Sequence, residues 1–282
     1  MDYEVLMRIF MTLNLVDFVA VSWVCSSWRK VCQDHVFWNR EVLDLSKLTP
    51  QFVLSTSRMI PFLKYVLYLS GGKIGSLILN RLPLRDRILI NVAKRSRNLK
   101  RLVLPAGRYL QLTEAGIDKA MEMWEGLESF TITDSEIAFS ILEAMGKYCR
   151  NISEIKITCH FSAKIAMALM TYVPRLKRLS VQSTRVNKDA LVNVVDHLQQ
   201  LEILNVSHSF IVGGNRPENI RVFSQQEVPN ILGEVSRMPS TVISCEIFCA
   251  MCQAVLAWNM AYEGRNHDEE NWHDDEIPSL RV

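Results

Sequence analysis

The chain has 282 residues, 49% of them hydrophobic and 22% charged, with a formal net charge of +2. That is enough apolar material for one extended domain or two compact ones. It is too little net charge for whole-protein attraction to nucleic acid or an anionic membrane.

The first residues carry Asp2, Glu4 and Arg8, which break up the apolar run a signal peptide needs. Leu6, Ile9, Phe10 and Leu13 then recur at i, i+3, i+4 and i+7, the spacing of one apolar helix face. A second helix is predicted from about Phe18 to Val31, bringing Phe18, Val21, Val24, Cys25 and Trp28 together, with Trp38 following. So many bulky residues in so short a stretch fit three readings: an ordinary core helix, a reactive cysteine site, or a module that buries these rings against a partner. A nucleophilic Cys25 or Cys32 needs a base in reach, and His35 is the nearby candidate. Small buried thiols on apolar helix faces account for both cysteines.

Between residues 70 and 210 the chain repeats itself. The pattern apolar-x-x-apolar-x-apolar starts at 74 (IGSLIL), 99 (LKRLVL), 127 (LESFTI), 152 (ISEIKI), 176 (LKRLSV) and 201 (LEILNV), at separations of 25, 28, 25, 24 and 25 residues. This is the period of leucine-rich repeats. Each run reads as a short strand, and helices are predicted behind them at PLRDRILINVAKR, TEAGIDKAMEMW, FSILEAMGKYC, AKIAMALMTYV and NKDALVNVVDHL. Thr113 is placed to cap the second of these. No unit can bury its apolar face alone, so the units are expected to stack into a solenoid, parallel sheet inside and helices outside.

Alternation along the strands directs Arg101, Val103, Thr131, Lys156, Arg178, Gln182 and Asn205 to the inner face, a mixed polar surface suited to a protein or peptide target. It lacks the convergent acid, base and nucleophile of a catalytic site. Between Arg81 and Arg108 nine Lys or Arg residues face one acidic residue, Asp86. Five of them (Arg85, Arg87, Lys94, Arg95, Arg97) fall in the predicted helix, so a solvated helix surface explains the run better than an acidic partner or a polyphosphate.

Past residue 210 the chain is loop-like, then holds Cys245, Cys249 and Cys252, and His267 and His273 in an acidic run. The longest uncharged stretch, between Glu246 and Glu263, includes Gln253 and Asn259 and falls short of the roughly 20 apolar residues of a bilayer span. One CxxC is a weak zinc signal. The reading taken is a helix over 247–258 capping the last repeat, a mobile acidic end, and no metal or cofactor. Seven cysteines without secretory context read as reduced thiols, placing the chain in the cytoplasm, the nucleus or both.

With repeats behind it, the stretch EVLMRIFMTLNLVDFVAVSWVCSSWRKVCQDHVFW resembles an F-box, following its order of E-I-L, I-F-x-x-L, D-L, V-C-x-x-W-R and a final aromatic–Trp pair. LTEAGI and Cys149 in KYCRNISEI resemble the cysteine-containing subclass of leucine-rich repeats, although Leu82, Gly107, Ser135, His160, Thr184 and Ser209 stand where an asparagine ladder belongs, so an irregular arc is expected. Together these are similar to plant F-box/leucine-rich-repeat proteins. The resemblance implies an α/β chain with a three-helix F-box (1–42), an irregular solenoid of about six repeats (43–210) and a C-terminal cap with an acidic tail (211–282). It further implies a non-enzymatic substrate receptor of a Skp–cullin–F-box ubiquitin ligase. A Skp-type adaptor, and through it a cullin, would dock on Leu6, Ile9, Phe10, Leu13, Val24, Trp28 and Trp38. Met1 and Asp2 stand where the family has Leu-Pro, which suggests a start inside the module and weaker adaptor docking. The alternative is a leucine-rich-repeat scaffold whose F-box no longer recruits a ligase.

Overall fold

A computed structural model describes residues 2–38, 42–48, 56–79, 82–212, 220–222, 224–233, 235–246, 249–250, 252–253 and 275–281. They fall into two units, Met1–Pro105 with Tyr109–Leu127, and Ala106–Arg108 with Glu128–Val282. Among the described residues no helix is long and apolar enough to cross a membrane.

The first unit opens with short helices α1 (Tyr3–Phe10), α2 (Leu15–Val21), α3 (Ser26–Cys32) and α4 (His35–Trp38). Asp2 and Asn14 cap the first two, their side-chain oxygens accepting the N–H of Glu4 and Asp17. The helix predicted over 18–31 is two helices. Ser22 turns its hydroxyl onto the Val19 carbonyl, and Cys25, extended at φ −159°, caps α3 by accepting the Trp28 N–H on sulfur. Val24 therefore sits in the turn, exposed, rather than on a helix face.

Strand β1 (Val42–Asp44) follows, then α5 (Thr56–Leu69), β2 (Ser76–Ile78), β3 (Leu84–Arg85), α6 (Asp86–Arg95), β4 (Arg101–Val103), β5 (Leu110–Gln111) and α7 (Glu114–Met121). β1 pairs with β2 and β2 with β4, all parallel, with Leu43, Leu77 and Leu102 in register and almost fully buried. α6 contributes Ile88, Leu89, Val92 and Ala93 from one face, while Arg85, Arg87, Lys94, Arg95 and Arg97 project to solvent.

Thr113 caps α7 as expected, accepting the Gly116 N–H, and donates its own N–H and hydroxyl to the two oxygens of Asp86 at 2.9 and 2.6 Å. A β-carbon on Gly116 would lie 2.2 Å from that carboxylate, so only glycine lets α6 and α7 meet there. Trp124 falls just past α7 and is buried, its Nε1–H on the Ser96 carbonyl at 3.0 Å.

The second unit carries β6 (Ser129–Ile132), α8 (Ala138–Tyr148), β7 (Glu154–Ile157), α9 (Ala163–Tyr172), β8 (Arg178–Ser180), β9 (Arg185–Asn187), α10 (Lys188–His197), β10 (Ile203–Asn205), β11 (Phe210–Val212), β12 (Ile220–Val222), α11 (Val228–Leu232) and β13 (Thr241–Ile243). Strands β6, β7, β8, β10 and β13 pair in that order, all parallel, setting Phe130, Ile155, Leu179, Leu204 and Val242 side by side. Helices α8, α9 and α10 each bury a stripe at i, i+3, i+4, such as Leu191, Val194 and Val195. α8 and α9 approach so closely that a β-carbon on Gly146 would fall 2.8 Å from the Tyr172 carbonyl. Where an asparagine ladder would run, the Thr184 and Ser209 hydroxyls both donate to the Val181 carbonyl. β1 and β13 add strands that the repeat pattern does not mark.

Candidate functional site

Two surfaces follow from the elements that carry the sequence-predicted residues. The first is the helical module. Phe10 is buried, its ring edge-on to Trp28 (centroids 5.3 Å apart) and Phe18 (6.5 Å), and Phe18 in turn meets Trp38 at 5.8 Å. Leu6 and Trp38 are buried with it, and the Trp38 indole N–H donates to the Cys32 carbonyl at 2.8 Å. Leu13 and Trp28 are half-buried. Of the seven residues predicted to dock a partner, Ile9 and Val24 are the two that stand clear of the core, 46% and 62% exposed.

The sequence reading missed Tyr3, Val5, Met11 and Trp23, which are also exposed. Val5 and Ile9 share one helix face at i, i+4. Tyr3 donates its hydroxyl to Asp34 at 2.5 Å, and this bond holds the Asp34 carboxyl below its usual range. Trp23 lies flat on Tyr65 of α5 (4.5 Å, 22° between planes), with the Arg29 guanidinium over it at 5.7 Å. An apolar cleft of about 180 Å³ opens between Phe10, Leu13, Leu15, Phe18, Phe37 and Val42.

The two thiols weighed as nucleophiles have structural posts. Cys25, expected to be a buried thiol on a helix face, is instead exposed in the turn where it caps α3, while Cys32 is buried as expected and burial pushes its thiol up to about 12, far from a thiolate at neutral pH.

The second surface is the strand face predicted to take a target. In the first unit Arg101 is half-buried and Val103 fully buried. In the second, register sets Thr131 beside Lys156, Lys156 beside Ser180 and Ser180 beside Asn205, so alternation does place them on one face. Yet Thr131, Lys156, Gln182 and Asn205 are all buried. The chain's own end covers part of this row. Asp275 takes an ion pair from Lys156 at 3.2 Å and hydrogen bonds from Ser180 (2.6 Å) and Asn205 (2.8 Å).

Glu276 accepts from Asn205 at 2.8 Å and Ser207 at 2.6 Å. Burial alone would raise the Glu276 carboxyl, but donors from His208, Ser207 and Asn205 hold it down at about 2. Arg178 keeps partial exposure while paired with Glu154. The acidic end was expected to be mobile, but its last two carboxylates are fixed by these donors; of the helix predicted over 247–258, residues 249–250 and 252–253 are described, and the rest of it, His267 and His273 lie outside the described residues.

The sequence reading assigned no metal. Among the described residues, His208, Cys245, Cys249 and Cys252 form one group whose ligand atoms all lie within 4.8 Å of one another.

Comparison with known proteins fits this layout. The F-box-like family matches residues 3–43, the stretch that builds α1 to α4 and β1. An F-box/LRR-repeat protein of Arabidopsis thaliana is 30% identical over 299 aligned residues, covering 100% of this chain and 95% of that protein. The Arabidopsis thaliana F-box protein FBW2 is 22% identical, covering 89% of this chain and 82% of its own length. F-box protein SKIP19 of the same plant is 26% identical over 67% of this chain and 61% of its own. A relative this similar along the whole chain, joined to a family match that coincides with the helical module, makes this chain a member of the F-box/LRR-repeat proteins.

Proposed function

We propose that this chain is the substrate-recognition subunit of an SCF-type ubiquitin ligase, its helical module docking a Skp-type adaptor and its repeats docking a protein target. The observation that carries the reading is the set of apolar side chains the module leaves in water. Tyr3, Val5, Ile9, Met11 and Val24 are exposed although the core behind them is closed by Leu6, Phe10, Phe18 and Trp38. Taking such a side chain from full exposure to full burial is worth about 1.5–3 kcal/mol, and these stand 38–62% exposed, so a partner that covers several of them together gains a stable contact. The adaptor surface is therefore Ile9 and Val24 with Val5 and Met11, and the buried members of the predicted set hold that surface in shape.

Target contact is assigned to Arg101 and Arg178, which keep partial exposure, while Val103, Thr131, Lys156, Gln182 and Asn205 serve as framework. Transfer chemistry belongs to the partner proteins, with the receptor supplying proximity.

Calorimetry of the full chain against a purified Skp-type adaptor tests this. Saturable binding by the parent chain, abolished by Ile9→Asp with Val24→Asp while circular dichroism is unchanged, supports the proposal. Absence of binding by the parent chain overturns it.

A further inference from the structure

The three cysteines that follow β13 are brought against a histidine from the turn after β10. β10 and β13 run parallel in register, Asn205 opposite Ile243, so His208 and Cys245 leave the sheet side by side. Cys249 and Cys252 come back to the same point. The His208 Nδ1 lies 3.0 Å from the Cys245 sulfur, 3.3 Å from Cys252 and 3.6 Å from Cys249. None of the three cysteines is in a disulfide; Cys245 and Cys252 are buried and Cys249 partly so.

One imidazole nitrogen offers a single lone pair or a single proton. It cannot satisfy three sulfurs at once. A cation at the centre of the four atoms can. In a tetrahedron with Zn–S near 2.3 Å and Zn–N near 2.0–2.1 Å, the N···S edges are about 3.5 Å, a few tenths of an ångström from the distances here.

Two further features fit a metal set. Nε2 of His208 faces Glu276 at 3.4 Å, and a carboxylate there holds the Nε2–H tautomer and leaves the Nδ1 lone pair aimed at the sulfurs. The His208 backbone N–H points at the Cys245 sulfur at 2.9 Å, the kind of donor that steadies a thiolate.

We infer that His208, Cys245, Cys249 and Cys252 bind one zinc ion through Nδ1 and three thiolate sulfurs, a closed structural site with no position left for a substrate. Loading displaces the three thiol protons and changes no oxidation state. The ion ties the turn after β10 to the end of β13 and to the segment carrying Cys249 and Cys252, which stabilises this end of the second unit. His267 and His273 are not needed for the set.

The test is metal analysis of the full chain purified under reducing conditions without chelator. About one zinc per chain is expected, falling below about 0.1 in Cys249→Ser with Cys252→Ser and unchanged in His267→Ala with His273→Ala. Loss of zinc through misfolding of the serine variant is separated by a second measurement on the parent chain: chelator-stripped protein titrated with cobalt alone. Intense visible bands of tetrahedral cobalt with sulfur-to-cobalt charge transfer in the near ultraviolet support the site. Their absence, zinc that persists in the serine variant, or a disulfide among the three cysteines in freshly purified protein would each overturn it.

Discussion

The Lys156 ammonium and the Asp275 carboxylate lie 3.2 Å apart with side chains 1% and 0% exposed, joining the middle of the second unit to the end of the chain. Withdrawing two charges from water costs several kcal/mol per ion, offset here by the pair itself and by donors from Ser180 and Asn205. Removing one partner strands the other. Asp275→Ala or Lys156→Met is expected to lower stability by about 3–5 kcal/mol. Lys156→Met combined with Asp275→Leu is expected to recover most of that loss. Urea denaturation of the four proteins checks it, and a single-variant loss below about 1 kcal/mol would mean the pair is solvated.

The helical module separates residues that hold its shape from residues free to dock. Phe10→Ala empties a site packed by Phe18 and Trp28 and is expected to cost about 3–5 kcal/mol, melting the module before any effect on docking can be read. Ile9→Asp and Val24→Asp touch exposed positions and are expected to shift stability by about 0.5 kcal/mol or less. Thermal melts of the three variants distinguish the two classes.

Asp86 and Gly116 are coupled by contact. Gly116→Ala drives a methyl group into the carboxylate, and overpacking of this kind costs about 1–3 kcal/mol. Asp86→Ala loses the two bonds from Thr113 but clears the space. The double variant is therefore expected to be more stable than the sum of the single losses predicts, by about 1 kcal/mol or more. Strict additivity in a double-mutant cycle would contradict the contact.

Burial pushes the Cys149 thiol up from 9.0 to about 12. The folded state then holds its proton where the unfolded chain gives it up. The stability it contributes is intact below about pH 9 and is lost as pH rises toward 12, at about 1 kcal/mol per pH unit. Cys149→Ala is expected to remove its share of that slope and leave the share of Cys32, raised to about 12 by the same cause. At pH 8, iodoacetamide followed by mass spectrometry is expected to mark exposed Cys25 and spare Cys32 and Cys149.

The six repeat strands and the helices between them were legible because a fixed period and paired apolar positions survive in the sequence. β1 and β13 were not. Each is three residues long, and β1 ends on Asp44, whose carboxylate turns back to cap the next turn through the Ser46 N–H. α5 went unmarked although Met59, Phe62, Leu63 and Val66 line one face, because a proline inside the run, Pro61, reads as a helix break although the helix continues through it.

Alternation along the strands told which side chains share a face but not what covers it, and the covering residues, Asp275 and Glu276, lie far along the chain in an acidic run that reads as solvent-facing. His208 was invisible as a partner for Cys245 because the two meet only through the β10–β13 pairing.

The seat that Asp275 takes has a consequence for synthesis. Lys156, Ser180 and Asn205 leave the ribosome well before Asp275, whose carboxylate pairs with the lysine and accepts from the other two. At about 5–20 residues per second the delay between Lys156 and Asp275 is roughly 6–24 s. During that interval the nascent second unit lacks the Asp275 carboxylate that pairs with Lys156, so this contact closes only after residue 275 emerges. A chain cut short before Asp275 exposes that fault permanently and becomes a ready target for quality-control proteolysis.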